Sequence, residues 1–228
     1  MQNSLAQSNR GGGIYNDGSG GSASLTILNS TVSGNSAYSA GGAIYNDSGN
    51  AGSATLTIRN STIDNNLSVH TLPFHGGAGG GVIKNSTISG NDNGGISTQA
   101  MEIGNTILDG NTGANIDGTA TSLGYNISSD DGGGNLTGPG DQINTAPLIG
   151  PLQDNGGPTL THALLPGSPA INAGDPNFTP PPFSDQGGSP SVRVFNGRID
   201  IGAFEVQPLH HITPEPRSRP TPVPRRMP

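Results

Sequence analysis

LTILNSTVSGN, at Leu25–Asn35, returns three times along the chain: as LTIRNSTIDNN at 56–66, VIKNSTISGN at 82–91 and EIGNTILDGN at 102–111. In each copy a short β-branched run meets an Asn, and a second Asn follows six residues later. The first asparagines of the copies are Asn29, Asn60, Asn85 and Asn105, spaced by 31, 25 and 20 residues. A tight motif at loose spacing fits stacked structural repeats whose connecting loops differ in length. A second motif precedes the first two copies, GGGIYND at Gly11–Asp17 and GGAIYND at Gly41–Asp47, with a shorter echo, GGIST, from Gly94. Each full unit thus offers three short extended pieces, GGxIYN, LTIxN and STIxxN.

Alternation of period two within these pieces predicts strands, with Leu25, Ile27 and Asn29 on one face and Thr26 and Leu28 on the other. Helices are opposed by 38 glycines, a hydrophobic content of 30% and the density of Ser, Asn and Thr. Three short strands per unit, separated by Gly or Asn corners, predict an all-β fold, specifically a right-handed parallel β-helix (a solenoid) with one face of each strand buried. Asn tolerates the left-handed backbone of a corner. Repeated at a strand spacing of about 4.8 Å, its amides can bond in a ladder. Asn29, Asn60, Asn85 and Asn105 are therefore expected to stack inward, beside a column of Ile27, Ile58, Ile83 and Ile103.

These repeats resemble those of surface-type β-helix proteins that carry GGxIYN and TIxNSTISGN units and end in a C-terminal module of the choice-of-anchor Q type. Two later segments look like that module: APLIGPLQDNGGPTLTHALLPGSPAINAGD at Ala146–Asp175 and GRIDIGAFE at Gly197–Glu205. The resemblance spans most of residues 11 to 206 and implies an extracellular or cell-surface protein. SPAINAG, at Ser168–Gly174, also recurs in polysaccharide-degrading β-helices, so it speaks for fold rather than activity. At Asp185–Val192 the chain reads DQGGSPSV and lacks the Arg of the DQRG stretch usual in that family.

The expected organisation is repeats over 1–130, a loop-rich C-terminal module over 131–207 that continues or caps them, and a disordered Pro- and Arg-rich tail over 208–228. In the module Ile199, Ile201, Ala203 and Phe204 are suited to a last, capping strand. No run approaches the roughly 18 apolar residues of a membrane span, and MQNSLAQSNR lacks the apolar region of a signal peptide. The start so close to GGGIYN leads us to expect an N-terminally incomplete chain. With no cysteine there is neither a disulfide nor a thiolate nucleophile or metal ligand. The net charge is −7, and four of the nine basic residues (Arg217, Arg219, Arg225 and Arg226) lie in the tail. The repeats have no basic stripe with which to neutralise phosphates, which argues against a nucleic-acid partner.

Catalysis on such a scaffold needs clustered carboxylates with a base, or a pair of acids. Asp64 and Asp109 occupy one repeat position with Ser89 between them, which puts them roughly 10 Å apart at strand spacing; no Arg or Lys falls at a matching place, and they read as solvated corner carboxylates. No catalytic residue and no metal ligand are assigned. Asp17, Asp47, Asp130 and Asp131 are the candidate calcium ligands, and each reads better as a polar turn. His70 and His75, in the insertion LSVHTLPFHGG, lack further ligands. The NST triplets at Asn29, Asn60 and Asn85 resemble glycosylation acceptors, which an inward Asn could not be. Tyr15 and Tyr45 recur at one position and form a candidate glycan-binding aromatic stack. The expected function is a non-catalytic adhesive, structural or glycan-contacting protein whose partner is a polysaccharide or another cell-surface component. The alternatives are a pectate-lyase-like polysaccharide lyase or hydrolase, and a carbohydrate-binding module.

Overall fold

Ile27 and Val32 are five positions apart, and an alternation of period two cannot put both on one face of an unbroken strand. Both are nevertheless buried in one core in the computed structural model of the chain, which describes residues 5–6, 12–38, 41–49, 51–68, 74–76 and 80–207. Asn29 resolves the parity. Its φ is +48°, so the chain turns a left-handed corner there and the alternation resumes with Val32 inside. Asn60, Asn85 and Asn105 do the same at φ +53°, +51° and +52°. A second corner five residues after the first, at Gly34, Asn65, Gly90 and Gly110, is again left-handed and sends the next residue inward.

The described residues are all-β apart from a single 3-10 turn at Gly132–Gly134. Corresponding strands of successive units pair in parallel. One row holds Ser22–Leu28, Ser53–Arg59, Gly81–Lys84, Ile96–Gly104 and Ile116–Gly124, and stacks Ile27, Ile58, Ile83 and Ile103 in register. Ile14–Asp17, Ile44–Asp47 and Phe74–Gly76 form a second row joined to the first through the long strand Ile96–Gly104. Beyond the first corner, Thr31–Ser33, Thr62–Asp64, Thr87–Ser89, Ile107–Asp109 and Ile127–Ser128 make a five-stranded parallel sheet. Leu5–Ala6, Ser36–Ala37 and Leu67–Ser68 form a shorter one. No helix among the described residues is long and apolar enough to cross a membrane.

The corner geometry moves the asparagine ladder away from its expected place. Left-handed backbone at Asn29, Asn60, Asn85 and Asn105 sets their side chains toward the C-terminal segment, where Asn60 and Asn105 donate to Ser184 O and Asp200 O and only Asn29 is exposed. They pair only in part, Asn60 Nδ2 donating to Asn29 Oδ1 at 2.6 Å and Asn105 Nδ2 to Asn85 Oδ1 at 3.1 Å. The inner ladder is built by the second Asn of each motif. Asn35, Asn66, Asn91 and Asn111 donate successively, each to the next, at 3.0, 2.9 and 2.9 Å, and Asn111 continues to Asn115 at 2.8 Å. Each receiving Oδ1 from Asn66 to Asn111 also accepts the backbone N–H of the Asn before it. Spare amide protons of Asn66, Asn91 and Asn111 reach the carbonyls of Val32, Ile63 and Ile88. The ladder is thus a buried polar seam with its bonds closed.

Residues 130–142, rather than a strand at 199–204, blunt the last tier. Leu136 enters the main core. Asn135 Oδ1 accepts from the backbone of Ala120, Asp130 from Asn115 and Asp141 from Asn126, at 2.8, 2.7 and 2.9 Å. Side-chain acceptors thereby occupy a strand edge that would otherwise invite further pairing.

The segment from Ala146 to Gln207 lies along the stack instead of across its end. Its antiparallel pair, Ile149–Gln153 with Thr161–Leu164, is its sole regular element among the described residues. Thr31 Oγ1 donates to Leu160 O, Gln186 Nε2 donates to Thr31 Oγ1, and Thr62 Oγ1 donates to Gln186 Oε1. Ala203 N donates to Thr87 Oγ1 and Gly202 N to Asn105 O. Ile107 and Ile127 pack against Leu164, Ala170 and Ile201 in a second core. The five-stranded sheet is consequently buried on both faces, whereas the sequence pattern implies one. Gly174 ends SPAINAG because a Cβ there would collide with Asn105 Oδ1. The tail from Pro208 lies outside the described residues.

Replacing Asn66 by Ala should orphan several buried partners at about 1–3 kcal/mol each. A destabilisation of roughly 3 kcal/mol or more in urea unfolding is expected. Asn29→Gly, at an exposed corner whose φ glycine adopts freely, should change stability by under about 1 kcal/mol.

Candidate functional site

The outward residues of the first row carry what the core does not use. Leu28, Arg59, Lys84 and Gly104 are register partners at the edge of that row. Arg59 is exposed and Lys84 half-buried. The pairing slips between Ile103 and Gly104, leaving Leu123 over the bare Gly104 backbone, and Tyr125 follows in a left-handed conformation at φ +56°. The opposite wall comes from the C-terminal segment around Asp175–Pro182. It is fixed by Asp175 N donating to Asn105 Oδ1 at 3.2 Å and by Arg198, which donates to the carbonyls of Gly174 and Ala173 at 2.6 and 2.9 Å. The Arg198 guanidinium also sits 5.6 Å from the Tyr125 ring centroid, within cation–π range. Between the walls is an open cleft of about 280 Å³, lined among others by Arg59, Lys84, Asn85, Tyr125, Asp175 and Phe178. Amide groups, an aromatic ring and charged heads converge there, a mixture suited to orienting a polar ligand that has apolar faces.

The Tyr15 and Tyr45 rings lie in register with centroids 5.5 Å apart and planes inclined at 39°. Tyr15 is 45% exposed and donates its hydroxyl to Asp47 Oδ2 at 2.9 Å, while Tyr45 is 7% exposed, so one ring of the pair faces solvent. Asp47 Oδ1 accepts from Gly49 N, and Asp17 Oδ1 from the backbone and hydroxyl of Ser19. Asp130 closes a turn on Gly132 N and accepts from Ser128 Oγ, and Asp131 accepts from Gly133 N. Burial works against ionisation of Asp130, but these bonds and those from Asn115 hold its pKa below the usual value. His70 lies outside the described residues; His75 lies in the strand Phe74–Gly76. Of the NST asparagines, Asn60 and Asn85 are buried and Asn29 is exposed.

Asp64 and Asp109 are not the solvated corner carboxylates that the repeat suggests. Both lie beneath the antiparallel pair, Asp64 buried and Asp109 half-buried. Asp64 Oδ1 meets His162 Nε2 at 3.1 Å, and His162 Nδ1 meets Gly150 O at 2.8 Å. Both ring nitrogens face acceptors, so the arrangement is complete only when the imidazole carries both protons. Burial alone would lower the His162 pKa. The bonds to Asp64 and Gly150 and the charges of Asp64 and Asp109 outweigh it and raise the pKa above its ordinary 6.5. Burial pushes Asp109 up as well.

Arg193, fully buried, lies within the electrostatic reach of three carboxylates, Glu205, Asp185 and Asp200. Its Nη2 donates to the carbonyls of Asp200 and Gly202. Asp185, Asp200 and Glu205 accept backbone N–H groups of Glu205, Gly187, Asn172, Val206, Asp200 and Phe195. Burial pushes Glu205 up to about 8, against those donors and the Arg193 charge. Neither His162 nor Arg193 was singled out by the repeat, because both lie outside it and act on it through tertiary contact. Among the described residues no group of three or more His, Asp and Glu is arranged to hold a metal ion.

Comparison of the chain with protein-family models, with curated proteins and with solved structures finds no match.

His162 and Glu205 both have folded-state pKa values above their unfolded ones, so the folded state holds more protons. The stabilisation is complete below the unfolded values and is lost as pH rises through the folded ones. Circular-dichroism melting should therefore show the melting temperature falling from neutral pH through about 8. His162→Gln should flatten the part of that slope nearest neutrality.

Proposed function

We propose that this chain is a right-handed parallel β-helix of the extracellular or cell-surface kind, a non-catalytic scaffold that contacts glycans and ends in a choice-of-anchor-like module. In-register parallel pairing through successive units, with left-handed corners between rows, supports the helical reading. The module reading is supported by the way SPAINAG and GRIDIGAFE close together on the stack, Gly174 N donating to Ile199 O and Ile201 N to Ala170 O.

The observation that carries the glycan role is the cleft between Lys84 and Phe178. It combines side-chain amides at Asn85, Asn105 and Asn177 with the Tyr125 and Phe178 rings, a pairing that serves the hydroxyls and the C–H faces of a sugar together. A non-catalytic role is supported by the carboxylates: Asp64, Asp130, Asp141, Asp185, Asp200 and Glu205 are each engaged in holding backbone or a side chain in place.

Wild-type protein on a glycan array should retain at least one polysaccharide class. Phe178→Ala should reduce that retention several-fold without lowering the melting temperature, and Tyr15→Ala tests the exposed ring of the tyrosine pair in parallel. Failure of the wild type across the array would remove the glycan role.

A further inference from the structure

We propose that the cleft is an anionic-saccharide site, in which Arg59 and Lys84 hold the carboxylate or sulfate groups of an acidic glycan. This rests on the glycan-contacting role above and narrows it.

The distribution of charge leads to the assignment. The whole chain carries −7. Four basic side chains fall among the described residues, Arg59, Lys84, Arg193 and Arg198. Arg193 is buried in its carboxylate cluster. The other three gather at one place, Arg59 and Lys84 lining the cleft and Arg198 backing it against Tyr125. Elsewhere the described surface has acids and neutral groups, so this is its one concentration of accessible positive charge.

Pairing makes the concentration costly. Arg59 and Lys84 are direct register partners on neighbouring parallel strands, about 4.8 Å apart at the backbone. Like charges set opposite each other in a sheet destabilise it. Among the described residues neither forms an ion pair that would relieve the repulsion. Asp175 also lines the cleft, but its Oδ1 closes a turn on Asn177 N at 2.9 Å. An arriving anion would neutralise both cations at once. Arg would present its flat fork to two oxygens, and Lys a compact charge beside it.

The remaining lining selects the kind of anion. Leu123, Tyr125 and Phe178 give the cleft apolar surface that a bare inorganic anion could not use but the faces of a sugar ring could. Two adjacent cations are also far short of the continuous basic track that a nucleic-acid backbone requires. Because the net charge of the protein repels anions at long range, recognition depends on this short-range pair and should weaken with salt.

Isothermal titration of the full chain against polygalacturonate oligomers, heparin oligomers and neutral malto-oligomers tests the assignment. The two acidic series separate a carboxylate from a sulfate preference. At least one acidic series should bind more tightly than the neutral one, and added salt should erode the difference. Arg59→Ala and Lys84→Ala should each cost about tenfold in affinity for the acidic ligand, as for the loss of a charge-assisted bond. Arg59→Lys should restore part of it. Both positions are solvent-accessible, and melting temperatures at or above that of the wild type, as relief of the like-charge pairing predicts, confirm that the variants fold. Equal binding of neutral and acidic oligomers would overturn the charge assignment and leave the glycan role standing. Undiminished acidic binding in the Arg59→Ala, Lys84→Ala double variant would overturn the site. Equal, Lys84-dependent binding of a single-stranded oligonucleotide would overturn the saccharide selection. Binding of no glycan at all would overturn both readings.

Discussion

Left-handed backbone at the corners is the constraint on which the rest of this molecule turns. A strand alternates its side chains with a period of two, and the segments that must face one core are separated by odd numbers of residues. One residue of reversed hand at each corner restores the phase. Gly and Asn take that conformation at little cost, so the corners of the four motif copies draw on these two residues, and Tyr125 takes it at the next tier. The position of a residue relative to the corner then sets what it does. The Asn that makes the first corner is set outside the main core, and the Asn just beyond the second corner is driven inward, where its amide must find partners. The inner ladder follows from the geometry of the turn together with the penalty on unpaired buried amides.

A second dependence runs through the C-terminal segment. It has little regular secondary structure, so its backbone N–H groups cannot be satisfied by ladders of their own. Asp185, Asp200 and Glu205 accept them instead, and Arg193 offsets part of the accumulated negative charge. On its inner side Gln186, Ile201 and Gly202 meet the threonine and isoleucine row of the stack. An interior of this composition, polar at one end and aliphatic at the other, fixes a loop-built segment on the stack without a sheet of its own.

Much of the fold was legible in the sequence because repetition multiplies weak signals. The strand rows, their order within a unit and the isoleucine column follow from period-two alternation recurring in register. Both asparagine columns are visible in the sequence, but alternation carried straight through Asn29 puts the inner ladder on the first of them and leaves the second without a role. Parity between Ile27 and Val32 contains the correction. The cleft was legible only in part. Arg59 and Lys84 take the place of the outward Leu28 in their copies of the repeat, whereas Asn177, Phe178 and Arg198 come from a distant segment whose approach no local pattern encodes. The lengthwise docking of that segment was hidden for the same reason: Ile199, Ile201 and Ala203 are spaced as a strand would be, yet their apolar groups are used against neighbouring side chains with no strand partner beside them.

That docking has a consequence for how the chain reaches its final state. Contacts between tiers join residues 20 to 31 positions apart, and they can form as soon as each unit is made. Gln186 and Thr31, by contrast, are separated by 155 positions. The C-terminal segment therefore covers a surface laid down 155 residues before it, and loop closure over such a span is slow. Until it happens, a row of Thr and Ile side chains stands open along the growing stack. Arrival of the C-terminal segment ends that exposure in one step, and a chain that lost this segment would keep most of its tiers and remain permanently adhesive along one side.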